Sequence, residues 1–133
     1  MCSYFDCLSH SHYTFHIDNS QNDCFDVSFG NYVLNSANLK NCGDKGVSVG
    51  EKSNVLIDQA IVNDTNIGIA SKDSSVTKLN DLTLRNLKVC VSAYNKKQEY
   101  SGGFLKVNSF ECQNYITMFD VDAYSKISIE KQL

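Results

Sequence analysis

The sequence predicts an all-β chain wound as a parallel β-helix, a solenoid of about 5–6 coils with about 22 residues per coil. Three observations carry this reading: proline is absent, apolar residues alternate in short pairs and triplets, and the alternation recurs at a fixed interval. Average usage near 5% would place about seven prolines in 133 residues. Proline has no N–H to give to a backbone ladder, so a chain lying mostly in continuous sheet excludes it. No apolar stripe of useful length at helical spacing competes with the strand pattern.

Taken from the N-terminus, the first copy is the least regular: Tyr13, Phe15 and Ile17 alternate, and Val27 and Phe29 follow. The second holds Tyr32, Leu34, Ala37, Leu39 and Cys42, and a shift of 23 carries it onto the third. The third holds Val55, Ile57, Ala60, Val62, Thr65, Ile67 and Ile69, which a shift of 22 carries onto Thr77, Leu79, Leu82, Leu84, Leu87, Val89 and Val91. A shift of 28 then gives Leu105, Val107, Phe110, Cys112, Tyr115, Thr117 and Phe119, as if six residues were inserted near "KKQEYSGG". Another 22 residues reach Ile127 and Ile129. Strand periodicity broken by turns, three short strands to a copy, describes one solenoid coil, and coils rise by about 4.8 Å. Leu82, Leu84, Val89 and Val91 are therefore expected in the core, with Ile67 and Ile69 beneath the last two.

Polar residues fall in register too. Asn35, Asp58, Asn80 and Asn108 share one position of the repeat, and Asn41, Asp64, Asn86 and Asn114 share another. Asn and Asp tolerate a left-handed backbone and bond along a stack of like neighbours, so both columns are expected at corners between strands.

The chain is read as a single domain, 1–133, with an irregular N-terminal cap over 1–12 that includes Tyr4, Phe5 and Leu8, and an inserted loop at 97–103. A net charge of −3 and a single arginine, Arg85, argue against a nucleic-acid surface. No apolar run approaches the roughly 18–20 residues of a membrane span. The N-terminus lacks the basic region and apolar core of a signal peptide.

With these coils on the page, the sequence resembles the right-handed parallel β-helix proteins of the pectate-lyase-like superfamily over Tyr13–Ile129. "DKGVSVGEKS", "GIASKDSS" and "AYNKKQEY" are similar to successive coils in β-helical regions of bacterial surface or exported proteins. The resemblance implies a short single-stranded right-handed parallel β-helix and, since most enzymes of that fold act on polysaccharides, a carbohydrate as ligand class.

The repeat stacks Glu51 with Asp73 and Asn95, Lys52 with Ser74 and Lys96, and Ser53 with Ser75 and Lys97. These columns predict a polar ridge at one corner, with the loop of Glu99, Tyr100, Gly102 and Gly103 beside it; insertions in repeat proteins cluster on the binding face. The candidate ligand-binding residues are Glu51, Lys52, Lys72, Asp73, Tyr94, Lys96, Lys97, Glu99 and Tyr100. A solvated corner in which lysines offset Glu51 and Asp73 is the plainer reading of the same residues.

Catalytic signals are sparse. A pectate-lyase-like mechanism needs Ca²⁺-binding carboxylates near an Arg or Lys base, and Arg85 falls beside the Asn86 corner, away from the ridge. The adjacent aspartates, Gly-His-Gly element and Arg-x-Lys of polygalacturonase-like enzymes are missing. Asp23, Asp26 and Asp44 form an acidic group on adjacent coils without a defined separation. His10, His12 and His16 share a strand face with Asp18, but His12 and His16 would stand about 13 Å apart, too far for one ion, and His10 and His12 about 7 Å. No cofactor or metal is expected.

Cys2, Cys7, Cys24, Cys42, Cys90 and Cys112 show no recurring pair and no zinc pattern. Cys42 and Cys112 occupy apolar columns, and Cys90, between Val89 and Val91, is expected to face outward. Mostly reduced thiols follow, the state of a cytoplasmic protein, whereas the resemblance implies an exported one; the compartment stays open. The expected function is non-enzymatic binding or scaffolding with a polysaccharide as partner; the alternative is a polysaccharide-modifying enzyme without familiar motifs. Ile127 and Ile129 continue the apolar columns with no lid over them, so a homodimer through the C-terminal coil is expected.

Overall fold

The computed structural model describes residues 14–133, all of them strand or turn, wound as a parallel β-solenoid of about five turns. β1 (Thr14–Ser20) and β2 (Phe25–Val27) form the first coil, and β3 (Asn31–Cys42) and β4 (Lys45–Val49) the second. β5 (Asn54–Lys72), β6 (Val76–Tyr94) and β7 (Phe104–Val121) each run through most of a coil, and β8 (Lys126–Gln132) begins another. The ladder order is β1-β3-β5-β6-β7-β8, with β2-β4-β5 continuing the far wall. The proposed cap, with His10, His12, Cys2 and Cys7, lies outside the described residues.

Every register inferred for the apolar columns is present, whereas the column of Ser53, Ser75 and Lys97 is broken after Ser75, which stands buried beside Gly103 because the insertion precedes it. Val55 lies beside Thr77 and Ile69 beside Val91, Leu84 beside Cys112, Leu105 beside Ile127, and Leu39 beside Val62. The 23-residue shift between β3 and β5 reverts to 22 between β4 and β5, so the second coil holds one residue more. That residue sits at the Gly43–Asp44 break between β3 and β4, where β5 runs unbroken. Only glycine fits at 43, because a Cβ there would stand 1.8 Å from the Gln21 carbonyl oxygen.

The core runs through the middle of the stack. Leu39, Val47, Val55, Ile57, Val62, Ile69, Leu82, Leu84, Val91, Leu105, Val107 and Phe110 are fully buried. Val89 and Ile67 depart from expectation: both are half-exposed, while Cys90 and Gly68 are buried and turn inward. The reason is a narrowing of the cross-section. A Cβ on Gly68 would lie 2.5 Å from Leu84 Cδ2, and one on Gly46 2.7 Å from Val62 Cγ1. From the first coil to β6, inward residues of this column therefore carry no free side chain. Read at 22-residue spacing, the column is Cys24, Gly46, Gly68 and Cys90, two glycines flanked by cysteines, and it continues across the insertion to Met118.

Those two cysteines are disulfide-bonded, Cys24 to Cys42 and Cys90 to Cys112, with Cα–Cα separations of 5.4 and 6.4 Å. This corrects the expectation of reduced thiols, and of an outward Cys90; among the described residues no cysteine is free. Linear spacing hides the pairing because each bond joins neighbouring coils, 18 and 22 residues apart. Loops of this length lose enough unfolded-state entropy for each bond to contribute about 3 kcal/mol.

Asn41, Asp64, Asn86 and Asn114 all adopt the left-handed conformation, with φ of 55, 57, 60 and 59°. Asn114 donates to Asn86 at 2.6 Å and Asn86 to Asp64 at 3.0 Å, while Asn41 donates to Asp18 at 2.9 Å. The other column also bonds along the stack, Asn108 to Asn80 and Asn80 to Asp58 at 3.1 Å each. Its backbone keeps negative φ, which corrects the left-handed expectation there. The chain turns instead by breaking alternation, with Asp58 and Gln59 both outside between buried Ile57 and Ala60.

Candidate functional site

The third corner carries the ridge residues. Lys52, Asp73 and Ser74 adopt left-handed φ of 51, 53 and 63°, unfavourable for lysine unless neighbours impose it. The neighbours here are coils above and below: Lys52 N–H donates to the Asp73 carbonyl at 3.0 Å, and Phe29 N–H to the Glu51 carbonyl at 2.8 Å. Glu51 and Asp73 thus lie on adjacent coils at one corner, as their columns require.

Their side chains differ in exposure. Asp73 is fully buried. Its Oδ1 accepts the N–H groups of Lys96 at 2.7 Å and Lys97 at 2.9 Å and the Asn95 amide at 3.4 Å, while Oδ2 is enclosed without a partner. Asn95 Nδ2 is in turn ringed by the carbonyl oxygens of Lys97, Tyr100 and Ser101 at 3.0, 2.8 and 2.8 Å. Asp73 and Asn95 therefore hold the Lys97–Gly103 loop from within, and Asp73 is a positioning residue with no access to a ligand.

From the next coil Asp122 grips the same loop base. Its Oδ2 accepts the Asn95 N–H at 2.7 Å and its Oδ1 the Tyr124 N–H at 3.1 Å. Slight burial opposes ionisation of Asp122, but these N–H groups and the Ser125 hydroxyl outweigh it and hold the carboxyl below its ordinary value. Ser74 adds a further tie, its hydroxyl accepting the Ser101 N–H at 2.8 Å.

Outside this anchor the other ridge residues pair with one another. Lys97 Nζ is 3.4 Å from Glu51 Oε1, with the lysine exposed and the glutamate largely covered, a surface pair contributing about 0–1 kcal/mol. Lys52 Nζ stands 5.8 Å from the centre of the Tyr100 ring, which meets Phe29 edge-on at 6.5 Å. Lys96 and Glu99 are exposed on the loop.

Lys72 and Tyr94 lie side by side in β5 and β6 and belong to a second charged group on the outer face of the sheet. There Lys45 Nζ is 2.8 Å from Asp44 Oδ2 and 4.0 Å from Asp23 Oδ1. The Lys45 hydrogen bond keeps the Asp44 carboxyl below its ordinary value. Burial opposes the charge on Lys45, but the Asp44 bond and nearby anions raise its pKa on balance. Burial raises the Tyr94 phenol. Two of the three acids of the acidic group thus share a lysine, while Asp26 is exposed beside Ser48 in the ladder. No metal-ligating cluster of three or more side chains occurs among the described residues.

Two hollows matter for binding. One, of about 680 Å³, is a furrow along the left-handed corner, lined by Asp64, Asn66, Asn86, Lys88, Asn114 and Tyr115 among others. Most of its corner amides bond to one another along the stack. The other, of about 590 Å³, lies under the inserted loop, lined by Asn95, Lys96, Gln98, Tyr100, Ser101, Gly102 and Tyr124. Tyr124, 77% exposed, was not among the residues singled out from sequence. The repeat does reach it: 22 residues separate it from Gly102, where a Cβ would lie 2.0 Å from the Tyr124 carbonyl oxygen.

No family model, curated protein or solved structure matches this chain. No helix among the described residues is long and apolar enough to cross a membrane.

Proposed function

We propose that this chain is a non-enzymatic binding module whose ligand is a carbohydrate chain, taken up in the cleft beneath the Lys97–Gly103 loop. The observation that carries the reading is the composition of that cleft. Exposed Lys96 and Gln98 offer donors for hydroxyl groups, and Tyr124 offers an exposed ring on which a sugar face packs. Asp73, Asn95 and Asp122 fix the loop's backbone before a ligand arrives, which lowers the ordering cost of binding. The furrow along the Asn86 corner is the weaker choice, because its amides are already engaged with one another. A carbohydrate is also the ligand class that the pectate-lyase-like resemblance implies, an argument from fold alone.

A glycan array followed by calorimetry tests the proposal. The expected result is binding of at least one glycan, weakened about tenfold or more by Tyr124→Ala or Lys96→Ala, with the substrate recovered unchanged. Absence of binding across the array, or binding indifferent to both substitutions, removes the site. Release of unsaturated uronate would transfer the chain to the enzyme class.

A further inference from the structure

The first halves of β3, β5, β6 and β7 form an outer wall whose columns follow from the ladder. Val33, Leu56, Lys78 and Lys106 make one outward column, and Asn54, Val76 and Phe104 belong to the column beside it. Val33, Leu56, Val76 and Phe104 are half-exposed, at positions where alternation turns side chains to solvent. The second halves of the same strands carry polar columns instead, Ser36, Gln59, Asp81 and Ser109 in one and Asn38, Ile61, Thr83 and Glu111 in the next. Contiguous exposed apolar side chains with a polar rim mark an interaction site. This patch lies mid-stack, where Leu56, Lys78 and Lys106 each have ladder neighbours on both sides.

Two hollows lie on the patch and meet at Leu56 and Lys78. One, of about 350 Å³, is mostly apolar, with Tyr32, Val33, Leu56 and Val76 in its lining. The other, of about 330 Å³, holds Lys78, Lys106, Asn80 and Asn108. Lys78 and Lys106 are direct ladder partners, and like charges so placed repel. Among the described residues Lys106 pairs with Glu130 at 3.7 Å and Lys78 has no ion pair. Asp58, the acid in the lining of the polar hollow, is engaged by the Asn80 amide at 3.1 Å.

We propose that this wall binds a free anionic amphiphile, an alkyl chain ending in a carboxylate, with the chain over Val33 and Leu56 and the carboxylate between Lys78 and Lys106. The order of the column sets that polarity: apolar residues occupy two coils and lysines the next two, over about 14 Å at 4.8 Å per coil. A carboxylate there accepts from both ammonium groups and removes their repulsion, while the chain covers apolar surface left open to water. Each hollow is concave and takes up a single chain, whereas a bilayer is met by side chains that protrude into it. None of the residues lining the two hollows lines the cleft beneath the loop.

Calorimetry with decanoate, kept below the concentration at which it forms micelles, tests the proposal beside acetate, decanol and vesicles of anionic lipid. Decanoate is expected to bind at least about tenfold more tightly than acetate or decanol. Lys78→Glu and Leu56→Ser are each expected to weaken it about tenfold or more, with thermal unfolding checking that both variants fold; Lys78 is exposed, so its variant decides alone if Leu56→Ser loosens the wall. Absence of decanoate binding overturns the proposal, and so does binding that survives Lys78→Glu. Acetate binding as tightly as decanoate reduces the site to a surface anion contact, and decanol binding as tightly denies the lysines their part; either result overturns it. Protein that sediments with the vesicles yet ignores free decanoate overturns it in favour of a membrane surface.

Discussion

The middle coils, β5 and β6, and the end coils, β1–β2 and β7–β8, follow one repeat but are closed differently. In β4 and β5 the narrow column of the cross-section holds Gly46 and Gly68, and the opposite wall packs directly on bare backbone. On either side of these glycines the same column holds Cys24 in the first coil and Cys90 in β6, each bonded to the following coil. Among the described strands β5 and β6 have ladder neighbours on both sides, and each cystine ties an outer coil to the coil inward of it, the first to the second at Cys24–Cys42 and β7 to β6 at Cys90–Cys112.

Substitutions sharpen the contrast. The largest expected effect comes from the middle: Leu84→Ala, at a fully buried site in β6, should cost about 2–5 kcal/mol in urea unfolding. Ile129→Ala, at a half-buried site in the last coil, should cost clearly less, and equal losses would remove the distinction between middle and end. Replacing Cys90 and Cys112 together by serine should cost about 3 kcal/mol, felt mainly as fraying of β7 and β8. Gly68→Ala should cost about 1–3 kcal/mol, since its methyl meets Leu84 Cδ2 at 2.5 Å and the Cys90 carbonyl at 2.4 Å; a neutral result would mean that the walls are not so close.

The smallest effect is one of pH and concerns the loop anchor. Asp122 is held below its ordinary value of 3.8 in the folded chain, so its contribution is present above that value and is lost as pH falls through the lower folded pKa. Protection of the Asn95 and Tyr124 amides, measured relative to their intrinsic exchange at each pH, should therefore fall below about pH 3.8 while the β5–β6 core stays protected. A fall in protection near neutrality would assign the anchor to another group.

The repeat was legible because a solenoid writes its three-dimensional neighbours into the sequence at a constant interval. Shifts of 22, 23 and 28 are the observed ladder registers, and Asn86 over Asp64 is a real hydrogen bond. Depth was less legible. The column of Glu51 and Asp73 named the right corner, but only the inserted loop folding back onto Asp73 buries it, and an insertion has no counterpart in the period. Val89 and Cys90 were assigned to the wrong sides because alternation was carried unbroken through a strand whose inward side meets the opposite wall. The disulfides escaped because each joins two different columns, Cys24 to that of Thr65 and Cys90 to that of Leu84, and a search along columns never compares them.

Native-state hydrogen exchange, resolved by peptide and repeated with the disulfides reduced, tests most directly whether packing holds the middle and cystines hold the ends. The expected result is unchanged protection across β5 and β6, with protection lost in β1–β2 and β7–β8 on reduction. Uniform loss along the chain, or no loss at either end, would contradict the account.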